Sequence, residues 1–190
     1  MSALTKISNH IVAAFLAAVW FSILLPAESA AQTQELDELF DRLQDPETQD
    51  WEIVEADIVL HWSRSGSPAM DLLLKRGREA MEGGNLPLAI EHFTALVDHA
   101  PDFAEGWNAR ATAYFLNDQI GPAITDIQHV LRLNPRHFGA MSGFALILEE
   151  TDHPKEALEV WKAAQAIHPH QPGINEAVER LTRQESGRDL

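Results

Sequence analysis

From Glu35 onward the apolar residues of this chain return every three or four positions. In ELDELFDRLQ (35–44), Leu36, Leu39, Phe40 and Leu43 share one side of a helix, because 3.6 residues complete a turn. DPETQD breaks the pattern. Trp51 to Arg64 resumes it, with Trp51, Val54, Ile58 and Trp62 on one stripe. SGSP (65–68) closes that helix. Ser67 is a suitable N-cap and Pro68 a suitable first residue for the next helix, where the N–H that proline lacks would be unpaired anyway. Near the other end, Pro172–Gln184 predicts a helix with Ile174, Val178 and Leu181 inward and Glu176, Glu179, Arg180 and Arg183 outward. Ile11–Leu25 differs from all of these: its 15 residues are uncharged and apolar on every face.

Between the flanks the pattern repeats. Prolines stand at 101, 135 and 169, and alanines at 89, 123 and 157, each set spaced by 34. Phe93, Ile127 and Trp161 form a column of large apolar residues. Leu73, Trp107 and Met141 form another, and Gly77, Ala111 and Ala145 a column of small ones. Small residues on both helices of a unit let the pair approach closely. Pro87, Pro122 and Pro154 sit near the start of each second helix, and Pro101, Pro135 and Pro169 lie past its end, where they prevent continuation. One such unit cannot bury its apolar face; a stack of three can.

On these columns the chain resembles the tetratricopeptide repeat (TPR) family, whose 34-residue unit is a pair of antiparallel helices. The resemblance covers residues 70–171 as three copies (70–103, 104–137 and 138–171), and the middle copy, with Trp107, Ala111, Tyr114, Ala123 and Pro135, follows the family pattern best. It implies an all-α, right-handed superhelical solenoid. Two features depart from the pattern. Arg76 and Arg110 stand where the family often has leucine, and Arg110 is expected to pair with Asp126 on the same unit's second helix. Leu96 and Val130 replace the usual small residue near the end of the second helix. Residues 32–69 read as a degenerate repeat covering the amino-terminal end of the stack, and 172–190 as a polar-faced capping helix and tail.

The opening segment 1–31 reads as an address. Lys6 precedes the apolar run, Pro26 ends it, and Ser29 and Ala31 are small residues at the −3 and −1 positions of a cut after Ala31. The run is short of the roughly 20 residues that span a bilayer, so a cleaved signal peptide and a periplasmic mature chain from Gln32 are expected. The rival reading is a membrane anchor through an uncleaved 11–25. The stretches SGSPAMDLLLKRG, HAPDFAEGWNARATAYF and NPRHFGA also resemble small exported TPR proteins of alphaproteobacteria, which adds compartment and no activity.

Composition narrows the partners. Fourteen basic against 29 acidic residues leave a net charge of −15 in 190 residues, which repels nucleic-acid backbones and, once the leader is cut, anionic membrane surfaces. No cysteine is present, so disulfides, cysteine–zinc sites, thiol catalysis and an acylated cysteine are excluded. The nine histidines show no HExxH spacing and read as solvent-facing or capping. Glu149-Glu150 and Asp37-Glu38 read as solvated faces, GxSxG is absent, and Gly83-Gly84-Asn85 is a turn with no GKS or GKT after it. Trp51, Trp62, Trp107 and Trp161 read as core. No catalytic residue, metal site or cofactor is expected.

The resemblance implies that a partner lies in the concave groove lined by the first helices. The residues it places there are Asp71, Leu74, Arg78 and Met81, then Asn108, Thr112 and Phe115, then Ser142, Leu146 and Glu149. Leu74 and Ser142 stand where chaperone-binding members carry the polar or cationic groups of a carboxylate clamp, so a free C-terminal carboxylate is not the expected ligand. The expected function is a non-enzymatic adaptor binding a peptide or protein segment, with an envelope protein as partner. The alternative is a solenoid that self-associates as a homodimer and has no groove ligand.

Overall fold

Proline and the small-residue columns punctuate the chain into helices of 12 to 18 residues. The computed structural model describes residues 27–188, with side chains over 33–187. Its elements are α1 (Ala27–Gln44), α2 (Trp51–Trp62), α3 (Pro68–Glu82), α4 (Leu86–His99), α5 (Ala104–Leu116), α6 (Ile120–Leu133), α7 (Phe138–Glu150), α8 (Pro154–Ile167) and α9 (Pro172–Arg188). Two units divide at Glu38–Leu39, and the repeats lie in the second. The apolar run 11–25 lies outside the described residues. So do the side chains of Ser29 and Ala31, and with them the expected leader and anchor. Among the described residues, no helix is long and apolar enough to cross a membrane.

Helix α1 starts eight residues before the expected Glu35, because AESAAQTQ holds alanine, glutamate and glutamine and no breaker. Helix α2 stops at Trp62 rather than Arg64. Helix α9 passes Gln184 because nothing interrupts it before Gly187.

The helix pairs α3/α4, α5/α6 and α7/α8 correspond to the three sequence copies 70–103, 104–137 and 138–171, with α3 starting slightly earlier, at Pro68. Their cores are shared between neighbours. Leu74, Ala89, Phe93 and Leu96 pack with Ala109 and Ala113 of the next pair. Ala111, Ala123, Ile127 and Val130 pack with Ala140 and Ile147 of the next. Ala145, Ala157 and Trp161 pack with Ile174 and Leu181 of α9. The first small column marks a close approach, since a Cβ at Gly77 would run into the Phe93 ring; outside the columns, one at Gly106 would come within 3.1 Å of Leu96. Each inter-helix turn carries one left-handed residue at the same repeat position, namely Gly84, Asp118 and Asp152. Glycine adopts that conformation freely and aspartate tolerates it.

Arg110 pairs with Asp126 as expected, through Nε to Oδ2 at 2.7 Å and Nη2 to Oδ1 at 2.9 Å. Burial alone would push the guanidinium's pKa down. The hydrogen bonds and charge of Asp126 outweigh that and hold it above its ordinary value.

Helix α9 closes the carboxyl end. Arg180 reaches Glu149 Oε2 at 2.7 Å, and Trp161 Nε1 donates to Glu149 Oε1 at 2.8 Å. The Arg180 hydrogen bond, against a smaller opposing effect of burial and with help from Trp161, holds the Glu149 carboxyl below its usual range. A lowered folded-state pKa means that this contribution is complete above the ordinary carboxylate value and is lost as pH falls through the lowered one. Arg180 is half exposed, so screening limits the effect to about 0.5–1 kcal/mol. Urea unfolding of Glu149→Gln is expected to show that loss at pH 7 and a shrinking difference from the parent as pH falls below the ordinary carboxylate range.

The amino-terminal pair is not simply a cover for the first repeat. From Leu39 onward its buried residues, including Phe40, Leu43, Val54 and Ile58, belong to a strap along the turns after the second and third repeats. The Trp62 ring stacks on His137 at 4.2 Å and touches Phe138 at 5.0 Å. Trp51 meets His168 edge-on at 5.5 Å and stacks on His170 at 6.3 Å. Arg136 lies over the Phe40 ring at 4.1 Å, and His170 Nε2 donates to the Asp45 carbonyl at 2.9 Å across 125 residues of sequence. Periodicity identifies the apolar face of α2 but not the surface that covers it.

Candidate functional site

The first helices α3, α5 and α7 carry the groove positions, and between α5 and α7 these converge. Asn108, Thr112 and Phe115 from α5 face Ser142 and Leu146 from α7 across a cavity of about 310 Å³. Repeat geometry explains the convergence, since equivalent positions of successive units stack side by side. Ala111, Ala140, Gly139 and Gly143 line the same cavity. A Cβ at Gly143 would meet nothing closer than Ile127 at 4.0 Å. No lining residue is charged, in a chain of net charge −15.

The polar lining groups are turned toward their own backbone or a neighbour. Thr112 Oγ1 donates to the Asn108 carbonyl at 3.0 Å and Ser142 Oγ to the Phe138 carbonyl at 2.9 Å. Asn108 Nδ2 donates to Glu105 at 3.1 Å. What remains open is apolar, with Leu146 and Leu116 exposed by 44% and 52%. A second depression, lined by Trp161, Gln171, Ile174 and Arg180, shares Ser142 and Leu146 with the first, so the cleft continues toward α9.

The other expected groove residues are engaged within the protein. Asp71 accepts from the Ser65 backbone N–H at 2.8 Å and hydroxyl at 2.6 Å, fixing the linker before α3. Arg78 donates to Glu105 Oε1 at 2.6 Å and Ser63 Oγ at 3.2 Å. Glu149 is held by Arg180 and Trp161. Leu74 is only 2% exposed and packs in the core beside Phe93. Met81 likewise packs against that core.

Sequence reasoning missed Glu105, and it expected a capping role for histidines such as His137 without seeing the partner that holds it. Glu105 is buried near the start of α5, between Arg78 and His137 Nε2 at 3.1 Å. His137 Nδ1 accepts from the Ala140 N–H at 3.1 Å, so its side chain caps α7. The available signal was positional: Glu105 opens a helix beside an arginine one unit earlier. His168 is fully buried, against the expectation of solvent-facing or capping histidines. Among the described residues no three His, Cys, Asp or Glu side chains converge as a metal site.

Residues 74–121 match the family model described as tetratricopeptide repeat. A TPR repeat-containing protein of Rhizobium etli is 34% identical over 162 residues, covering 84% of this chain and 78% of the relative. The chain belongs to the tetratricopeptide repeat family. Solved TPR structures share its fold at lower identity. The Sgt2 TPR domain from Aspergillus fumigatus superposes with a TM-score of 0.60 at 22% identity, over 65% of this chain and 83% of that one. The first TPR of Spaghetti (RPAP3), solved with the HSP90 peptide SRMEEVD, gives 0.58 at 19%, over 62% and 93%. The all-helical TPR architecture inferred from the repeat columns is thereby established.

Proposed function

We propose that this TPR protein is a non-enzymatic adaptor that binds a peptide or protein segment in the cleft between α5 and α7. The uncharged cavity assembled from Asn108, Thr112, Phe115, Ser142 and Leu146 carries the reading. Concave, mostly apolar sites with a few polar groups suit an inserted side chain of an extended or helical segment. The structural neighbour solved with an HSP90 peptide supports peptide binding as the kind of task this fold performs. Leu74 and Ser142 supply no cation for a terminal carboxylate, and the groove's Arg78 is already paired with Glu105. An internal segment with an apolar anchor is therefore the better ligand. The leader-like residues 1–31 support a periplasmic site of action and an envelope protein as partner.

The test is affinity capture from envelope extract with the parent and the Asn108→Glu, Thr112→Arg double variant, circular dichroism checking that both fold. Two charges in an apolar cleft are expected to weaken capture at least a hundredfold. Equal capture by both chains sinks the reading. Homodimerisation is the second reading, favoured by Ile53 and Leu60, which leave an apolar stripe of α2 exposed by 62% and 50%. It predicts a concentration-dependent mass in sedimentation.

A further inference from the structure

The strap meets three histidines from the repeat turns, His137, His168 and His170, of which His168 and His137 are buried against it. His168 lies at the carboxyl end of α8, fully buried, with Trp51 and Glu55 of α2 on one side and Phe138 of α7 on the other. Its Nε2 lies 3.3 Å from Glu55 Oε2, an ion pair when the ring is protonated, and neither ring nitrogen makes a hydrogen bond. Trp62 Nε1, at the far end of the same helix, is also buried without one. Unpaired buried polar atoms weaken a contact that is otherwise aromatic and apolar. The strap is therefore held by packing at a site that cannot readily hydrate a charge.

The other anchor, His137, faces Trp62 of the strap, Glu105 of α5 and, through Glu105, Arg78 of α3. Its cap on α7 requires Nδ1 to be free of a proton. A pivot is present: the linker 63–67 contains Gly66 in the left-handed region at φ 79°, and Asp71 clamps Ser65 to α3.

We propose that the helical segment Leu39–Trp62 is an acid-released strap, which leaves the turns after the second and third repeats and swings about the 63–67 linker when His168 takes up a proton. The sign follows from the surroundings of the ring. Burial holds the His168 imidazole below its ordinary value, the Glu55 carboxylate opposes this, and the charge of His170 adds to it. Undocking returns the ring to water and to a pKa of about 6.5. The released state thus binds more protons, so docking is complete above that pH and weakens as pH falls, by up to about tenfold per unit.

Hydrogen exchange of the 190-residue chain, corrected for the intrinsic pH dependence of exchange, tests this at pH 7.5 and 5.0. Opening of residues 51–62 is expected to rise about tenfold in acid, while residues 123–130 of α6 stay unchanged. His168→Phe keeps a ring between Trp51 and Phe138 and cannot be protonated, and should cut that rise at least threefold. Glu55→Gln removes the carboxylate that eases protonation of the docked ring, and should enlarge the rise. The proposal is overturned if strap opening is the same at both pH values, if α6 opens in parallel, or if His168→Phe responds like the parent. Should His168→Phe fail to fold, a Glu55→Gln response no larger than the parent's overturns it equally.

Discussion

Arg110→Met is expected to destabilise the protein by about 3–5 kcal/mol, the cost of stranding a buried charge when its partner is removed. The Asp126 side chain is only 4% exposed and accepts two hydrogen bonds from the guanidinium. Methionine supplies comparable volume and no donor, so the carboxylate must be neutralised or drag water inward. Arg110 also lies over the Trp107 and Tyr114 rings at 4.8 and 5.6 Å, and those contacts lose their cation. The double variant Arg110→Met, Asp126→Leu removes both charges and should recover most of the loss, because two apolar groups of similar shape substitute for an ion pair at little cost. Urea unfolding of the two variants checks this. A double variant as unstable as the single would show that packing, not charge, sets the cost.

Phe93→Ala is expected to cost about 3–5 kcal/mol as well, by emptying the space of a fully buried ring. The companion prediction concerns Gly77. Its missing Cβ is the space the Phe93 ring fills, so Gly77→Ala alone should cost about 1–3 kcal/mol by overpacking. Together the two substitutions should cost less than their sum, since the new methyl occupies room the ring has left. A double-mutant cycle by thermal or urea unfolding measures the coupling. Strict additivity would mean that α3 and α4 adjust their spacing independently of this contact.

Gly77 and Ala89 announce a close helix pair in the bare sequence, because small side chains are needed wherever two backbones approach, and their recurrence at 34 fixes the repeat. Asn108, Thr112, Phe115, Ser142 and Leu146 are legible for a related reason: equivalent positions in stacked units fall side by side. Arg78, Asp71 and Glu149 are not. A polar residue at a groove position looks available until its partner is known, and those partners, Glu105, Ser65 and Arg180, sit on other segments. The strap is illegible for the same cause at longer range. Periodicity marks Val54 and Ile58 as inward, yet nothing local in Trp51 points to a histidine pair at the far end of the chain.

The bond from His170 to the Asp45 carbonyl changes how this stack should come apart. A plain solenoid is held by nearest-neighbour contacts and can fray from either end one unit at a time. Here the segment before the first repeat is fastened to the turn after the third, so its two margins are mechanically in series. Loosening α8 removes the surface beneath Trp51 as well, and damage at residue 168 is felt ahead of residue 63. That contact closes a far longer loop than any within a repeat, so it is entropically the last to form on folding. The protein would then assemble its three helix pairs first and tie them shut afterwards.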